Sequence, residues 1–230
     1  GNGKRIVPYM EPTGDATETI DRFHEYKFVE NDEFNLAKLG RRWFGDRFDF
    51  ENVKTFDFEF PKKITTEPVL VRVHAAAAGT NATTMAVSLN NQNIANFSFN
   101  PINDPLLGDD DFFDGEVTVG SQDLSVEISY NNGGNPSSFG FLDYVSIEAI
   151  SSLTHDGNQF QFTNKDVAQM AGIGEYVLTN ASDVSEVWDV TDRFNITTIP
   201  NTDQSTTLTY KSQLGEERVF MALDPSDYYE

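Results

Sequence analysis

The sequence of 230 residues contains no cysteine. This absence excludes disulfide bonds, zinc sites built from thiolates and a cysteine nucleophile within the chain. A Gly-x-Ser-x-Gly segment, the turn that presents a nucleophilic serine in α/β-hydrolases, is also missing. The three histidines, His24, His74 and His155, lie in different predicted elements, and none has a metal-ligand partner within a single motif. The sequence therefore predicts a chain with no catalytic centre of its own.

Positive charge is scarce. Lysine and arginine together number 16 against 37 aspartate and glutamate residues, which gives a formal net charge of -21. A chain of this charge repels a phosphate backbone and an anionic lipid surface. Nucleic acid is therefore excluded as a partner, whereas a divalent cation is not.

Long apolar runs and long helical patterns are missing as well. No stretch approaches the ~20 apolar residues that a membrane-spanning helix needs, so we predict no transmembrane segment. Residues 1–5 lack the apolar core of a signal peptide. Only two short segments, 33–39 and 164–170, carry a helical pattern, and both depend on tertiary packing for stability.

The sequence does contain strong alternation of apolar and polar residues. Phe56, Phe58 and Phe60 alternate with Asp57 and Glu59, which is typical of a half-buried strand. The same alternation runs through residues 69–75 and 124–130. Residues 90–93 predict the turn of a hairpin, because asparagine tolerates the positive φ of a tight turn. Residues 141–149 are apolar on both faces, as in a central strand.

These strands recur about every ten residues with polar turns between them. We predict an all-β fold, an antiparallel jelly-roll-like β-sandwich of the galactose-binding type, with a second, smaller β region. The predicted limits are an entering arm with one strand and a short helical turn at residues 1–39, the sandwich at 40–150, and the smaller β domain at 151–230.

The densest cluster of acidic residues lies at residues 103–116. Hard oxygen ligands in a glycine-containing segment are what Ca²⁺ requires, although the spacing does not match an EF-hand loop. The alternative is a loop whose carboxylates are merely solvated. The candidate calcium ligands are Asp109, Asp110, Asp111 and Asp114.

Aromatic residues offer a second candidate site. Trp43 and Tyr130, with Phe44 and Tyr144, could form a platform that stacks against a sugar or contacts a partner protein. The alternative is that these rings belong to the core of the sandwich.

Several stretches resemble one family of proteins. They are Gly-Lys-Arg-Ile at residues 3–6, the segment 33–48 with its Gly-Arg-Arg-Trp-Phe-Gly run, Phe-Asp-Phe-Glu-Phe-Pro at 56–61, Leu-Asp-Tyr-Val at 142–145 and residues 187–192 with Val-Trp-Asp-Val-Thr. Together they resemble the central region of the PorU family, the gingipain-like cysteine peptidases that act as signal peptidase and sortase of bacterial type IX secretion. The resemblance covers nearly the whole chain.

This resemblance implies a non-catalytic module of a cell-surface protein of a Gram-negative bacterium, located outside the cytoplasm at the outer membrane. In the family the peptidase domain, with its Cys and His, follows such a segment, so no catalytic residue is carried over to this chain. The implied partners are that downstream peptidase domain, the C-terminal domains of secreted cargo, and outer-membrane secretion components.

Two other functions stay open. The first is a carbohydrate- or calcium-binding jelly-roll module whose loops bind the ligand. The second is an autonomous hydrolase that uses carboxylates, but its acidic residues alternate with Phe as outward strand positions and no catalytic pair stands out.

Overall fold

The computed structural model describes residues 5–35, 43–103 and 106–228. Strands dominate, joined by two short 3₁₀ helices at Lys165–Gln169 and Pro225–Asp227. The strands in chain order are β1 Val7–Pro8, β2 Glu18–Ile20, β3 Arg22–Glu30, β4 Gly45–Phe48, β5 Val53–Glu59, β6 Val69–Ala78, β7 Thr83–Leu89, β8 Gln92–Phe99, β9 Asp109–Val117, β10 Asp123–Asn131, β11 Phe139–Ser152, β12 Phe160–Thr163, β13 Ile173–Thr179, β14 Glu186–Asp189, β15 Thr197–Pro200, β16 Thr207–Gln213 and β17 Val219–Leu223.

The chain folds as two compact units. Unit 1 combines residues 1–25 with residues 150–230, and unit 2 comprises residues 26–149. The division falls inside β3 and inside β11. The limits 1–39, 40–150 and 151–230 stay a prediction about independent domains.

Unit 2 is a sandwich of two sheets. One sheet has the order β5-β10-β7-β8, and the other has the order β3-β11-β6-β9, with β4 paired to β11. The alternating residues of both sheets meet in one apolar core, which includes Phe58, Val71, Val87, Val126 and Ile147. Burial of this apolar surface is the main force that holds the two sheets together.

The hairpin between β7 and β8 forms where the sequence predicts it. Asn90 and Asn91 have φ angles of 46° and 66°. Two successive positive φ angles match the right-handed twist of the flanking strands, and asparagine tolerates them better than most residues do. The Asn90 side chain stabilises the turn further, because its Oδ1 accepts a 2.7 Å bond from the backbone N of Ser125.

Unit 1 is also built from two sheets. They have the orders β1-β15-β14-β17-β12 and β16-β13-β2. The N-terminal strands β1 and β2 join them by parallel pairing, with Val7 opposite Thr197 and Ile20 opposite Tyr176. Aromatic rings fill the core between the sheets, and Tyr176 stacks on Tyr210 with a centroid distance of 5.2 Å.

The two helical predictions have different outcomes. Segment 164–170 contains the 3₁₀ helix Lys165–Gln169, whose N-cap Asn164 accepts a 3.0 Å bond from the backbone N of Asp166. Segment 33–39 lies partly outside the described residues, and within its described part Phe34 forms an antiparallel bridge with Phe44. The all-β fold, with an antiparallel β-sandwich and a second β region, is confirmed.

Candidate functional site

One surface of unit 2 combines exposed rings, carboxylates and a buried histidine. It is the side of the β3-β11-β6-β9 sheet that faces away from the sandwich core, and we call it the outer face. Its position follows from strand alternation, since Val71, Val73 and Ala75 of β6 face the core and the residues between them face outwards. The outer face comprises Tyr26, Phe28, Phe44, Arg72, His74, Ala76, Asp110, Phe112, Asp114, Phe139, Phe141, Asp143 and Tyr144.

His74 is the centre of the outer face and is only 7% exposed. Its Nδ1 lies 2.7 Å from Oδ2 of Asp143, and its Nε2 lies 2.8 Å from Oδ2 of Asp110. The imidazole also lies between two rings, Phe44 and Tyr144, each 6.1 Å away between centroids and inclined by 24°. The side chain therefore connects β6 with both neighbouring strands.

Both ring nitrogens of His74 thus lie within hydrogen-bond distance of a carboxylate oxygen. We call His74 with Asp110 and Asp143 the His74 cluster, and its contacts join β6 to β9 and to β11.

A β-bulge places Asp143 at this site. The register of β11 against β6 shifts between Leu142 and Tyr144, which leaves Asp143 as the extra residue. A bulge bends the strand locally and redirects a side chain that regular alternation would send elsewhere. It thereby brings the carboxylate of Asp143 to the same face as Tyr144.

Beside the histidine cluster the outer face is open to solvent. Phe112 lies opposite His74 on β9, and its side chain is 68% exposed. Asp114 accepts a 3.2 Å hydrogen bond from Nε of Arg72. At the other edge Tyr26 and Phe28 are exposed and stack at 5.8 Å between centroids. Exposed rings around a rigid polar centre are typical of protein interaction surfaces.

The apolar part of the outer face is covered by its own chain. Phe44, Ala76 and Phe141 form a small buried cluster, with Phe34 and Phe139 packed against it. The prediction that residues 141–149 are apolar on both faces therefore holds at Phe141, whereas the outward positions Ser146 and Glu148 are polar.

The four predicted calcium ligands lie on β9 and point in different directions. Asp110 and Asp114 are on the outer face, where they contact His74 and Arg72. Asp109 and Asp111 instead reach the edge strand of the opposite sheet. Their Oδ2 atoms accept bonds from the backbone N of Asn100 at 2.6 Å and of Ser98 at 3.4 Å.

This arrangement gives the acidic run a structural role, because Asp109 and Asp111 satisfy backbone donors that the edge of β8 would leave unpaired. Within the described ranges, no group of three or more His, Asp or Glu side chains is arranged to hold a metal ion. Calcium binding by Asp109, Asp110, Asp111 and Asp114 stays a prediction.

The two predicted aromatic contacts differ in exposure. Trp43 is 44% exposed, so its ring is accessible. Tyr130 is 2% exposed and packs against Phe48 at 6.4 Å between centroids, so its ring belongs to the core and the sugar or partner contact proposed for it is wrong. The alternation of residues 124–130 already indicated this, because Tyr130 follows the inward-facing Leu124, Val126 and Ile128.

The other two histidines lie in unit 1 and outside this cluster. Nε2 of His155 lies 3.2 Å from Oδ2 of the buried Asp224. His24 accepts a 3.2 Å bond at Nδ1 from the backbone N of Lys165. Local sequence could not predict the His74 cluster, because its two carboxylates lie 36 and 69 residues away along the chain.

The fold and this surface define a two-unit, all-β sandwich protein with an aromatic sheet face. The structure is similar to dimeric latent PorU from Porphyromonas gingivalis, with a TM-score of 0.80 and 16% sequence identity. The match covers 96% of this chain and 22% of the PorU chain, so this chain spans about a fifth of the length of that protein. The resemblance noted in the sequence is thus confirmed at the level of the fold.

Other comparisons add little. A CBM36-1 domain of a multidomain xylanase, from the hindgut metagenome of Trinervitermes trinervoides, matches 54% of this chain and 96% of its own at 10% identity. Its TM-score of 0.35 is too low to support an argument. No family model and no curated protein matches the chain. Among the helices that the structure describes, none has the length and apolar character needed to cross a membrane.

Proposed function

We propose that this chain is a non-catalytic β module of a PorU-type, gingipain-like cysteine peptidase of type IX secretion. The observation that carries the proposal is the shared fold over 96% of the chain. The absence of cysteine supports it, because the thiolate of such a peptidase must then come from another part of the protein. The module works outside the cytoplasm, at the cell surface.

The module scaffolds the peptidase domain or docks partner proteins, and we assign docking to the outer face. Binding energy at protein interfaces is concentrated in a few aromatic residues that become desolvated. Phe112, Tyr26 and Phe28 are exposed aromatic residues on one sheet, and the His74 cluster joins β9, the strand that carries Phe112, to β6. A rigid surface also loses little conformational entropy on binding.

Three classes of partner fit this role. They are the peptidase domain of the same protein, the C-terminal sorting domains of secreted cargo, and outer-membrane secretion components. All three are proteins, which agrees with a net charge of -21 that disfavours nucleic acid and anionic lipid surfaces.

The test measures binding of the purified chain to an isolated peptidase domain and to isolated cargo sorting domains by biolayer interferometry. We expect at least one of them to bind, and Phe112→Ser to weaken that binding at least tenfold. Phe50→Ser is the matched control, because Phe50 is fully exposed in the same unit and lies outside the outer face. Phe28→Ser tests whether the other edge of the outer face also contributes to this binding.

Two results would contradict the proposal. Failure to bind every partner would remove the docking role, and equal weakening by Phe50→Ser would remove its assignment to the outer face. The chain alone is expected to leave peptide substrates intact, so cleavage by the purified chain would overturn the non-catalytic assignment.

A calcium- or carbohydrate-binding role is the alternative, and the same protein tests it. The exposed Trp43 and the partly exposed carboxylates of Asp110 and Asp114 favour it. Saturable heat on titration with Ca²⁺, lost in Asp110→Ala and Asp111→Ala, would support calcium binding, and a flat titration would exclude it. A glycan array with uniformly negative signal would exclude the carbohydrate function.

A further inference from the structure

Among the residues that the structure describes, two arginines of unit 1 have no acidic partner. Four of the arginines that the structure describes lie next to carboxylates: Arg22 next to Asp21, Arg47 next to Asp49, Arg72 next to Asp114 and Arg218 next to Asp189. Within residues 5–35, 43–103 and 106–228, Arg5 and Arg193 have no ion pair or hydrogen bond.

Arg5 and Arg193 line the same hollow although 188 positions separate them along the chain. Parallel pairing of β1 with β15 brings them together, because Val7 lies opposite Thr197 and the residues before both strands therefore meet at one end of the sheet. Asp192 shapes the turn before β15 by accepting a 2.9 Å bond from the backbone N of Phe194.

The hollow has a volume of about 300 Å³ and combines two guanidinium groups with apolar side chains. Its other lining residues are Ile6, Phe194 and Ile196. The ring of Phe194 is 83% exposed, so it is accessible to a ligand in the hollow. The site thus offers charge for an oxyanion and apolar surface for the group that carries it.

The two guanidinium groups and the charge of the chain indicate which oxyanion the hollow would bind. Guanidinium groups bind carboxylates through paired, charge-assisted hydrogen bonds. The net charge of -21 disfavours a polyanion, so a single carboxylate is preferred over a phosphate-rich polymer. β1 is the last strand of its sheet and both of its residues, Val7 and Pro8, are exposed, so a polypeptide has access to the surface next to the hollow.

We propose that the hollow between Arg5 and Arg193 binds a peptide carboxylate that is flanked by an apolar side chain. The guanidinium groups hold the carboxylate, and Phe194 with Ile6 covers the apolar neighbour. This site is separate from the outer face and does not depend on the proposed docking function.

The test is an NMR titration of the ¹⁵N-labelled chain that follows the arginine Nε and backbone signals. The probes are N-acetyl-Leu-Phe with a free carboxylate, its C-terminal amide, N-acetyl-Leu-Asp-Phe-amide and inorganic phosphate. We expect saturable shifts at Arg5 and Arg193 with an acidic peptide, and binding at least tenfold weaker with the amide. The two acidic peptides distinguish a C-terminal carboxylate from a side-chain carboxylate.

Variants complete the test. Arg5→Gln and Arg193→Gln should each weaken binding at least tenfold, because each removes a guanidinium group that holds the carboxylate. Phe194→Ser should weaken binding about fivefold, because it removes the ring that covers the apolar neighbour. All three side chains are exposed and contribute little to the core, so the variants should still fold. Arg22→Gln is the matched control and should leave binding unchanged. Equal binding of the amide, stronger binding of phosphate than of either acidic peptide, or no binding at all would overturn the proposal.

Discussion

The two units differ in the side chains that fill the core between their sheets. In unit 1 the core includes Tyr176 and Tyr210, and Asp189 is buried beside Arg218. In unit 2 the core consists mostly of aliphatic and Phe side chains, with Tyr130 packed against Phe48, and Arg72 and Asp114 form an ion pair on the outer face. Both units are built from two sheets, but they differ in how tyrosine rings pack in the core and in how far their ion pairs are exposed.

The ion pairs show how each unit uses its charged residues. Asp189 of unit 1 is buried and accepts a hydrogen bond from Arg218, so its charge is satisfied inside the unit. Burial raises the pKa of Tyr176 to about 12 and that of Tyr210 well above its usual value. Arg72 and Asp114 of unit 2 are instead partly exposed, so their side chains can also contact a partner.

The largest expected effect is the loss of stability when a buried aromatic ring is removed from either core. Phe220 in unit 1 lies within 5.0 to 5.6 Å of the rings of Tyr176, Tyr210 and Phe162, measured between centroids. Phe220→Ala should lower the free energy of unfolding by about 3–5 kcal/mol. Phe48→Ala in unit 2 should cost a similar amount, because both rings are fully buried. Chemical denaturation measures both; a loss below about 2 kcal/mol for either would contradict the packing described for that unit.

The next largest effect is the loss of stability when the carboxylate of an Arg–Asp ion pair is removed, and each unit has one such pair. Nη1 of Arg218 lies 2.8 Å from Oδ2 of Asp189, which is buried, whereas Arg72 and Asp114 are both partly exposed. Asp189→Asn should cost about 1.5–3 kcal/mol, since a charged hydrogen bond is lost beside a partly buried cation. Asp114→Asn should cost less than about 1 kcal/mol. Equal costs in denaturant unfolding would remove this distinction between the units.

A smaller effect of opposite sign is expected at Tyr210. Its hydroxyl is buried and has no hydrogen-bond partner among the described side chains and backbone. Tyr210→Phe removes an unsatisfied polar group and keeps the ring, so the variant should be as stable as the parent or more stable by about 1 kcal/mol. A marked destabilisation in thermal unfolding would mean that the hydroxyl has a partner.

The smallest expected effect is the dependence of unit 1 on pH. Hydrogen bonds from the side chain and backbone of Ser226 lower the pKa of Asp224. Folding therefore favours the ionised form, so this contribution is complete above about pH 4 and is lost as the pH falls through the lowered pKa. Asp224→Asn should flatten the decline in stability on acidification below about pH 4. Parallel acid-unfolding curves for parent and variant would contradict this assignment.

Much of the fold could be predicted from local sequence. Alternation identified the strands of unit 2, and the asparagines at 90–91 identified its hairpin, because both signals are contained within a few residues. The parallel pairing of β1 with β15 could not be predicted this way, since its partners are about 190 positions apart. Local sequence says nothing about such distant pairings, and short N-terminal strands have weak patterns of their own.

The candidate site shows the same limit. Asp109–Val117 looked like an acidic loop because three aspartates precede its first Phe, but the structure forms a strand whose carboxylates have protein partners. The adjacent Phe112 and Phe113 also interrupt any alternation of apolar and polar residues in this segment. The role of Asp143 could not be predicted either. The inward or outward position of a strand residue is inferred from alternation, and a bulge interrupts that alternation.

The bulge at Asp143 has a consequence for how this strand tolerates change during evolution. Before it the odd-numbered positions Phe139 and Phe141 point outwards, and after it the even-numbered Tyr144 and Ser146 do. The extra residue therefore reverses which positions of the strand point outwards. Its deletion would turn every later side chain to the opposite face, unless the register against the neighbouring strand shifted by one residue. Relatives of this protein should keep the length of this strand even where they have exchanged the residues within it.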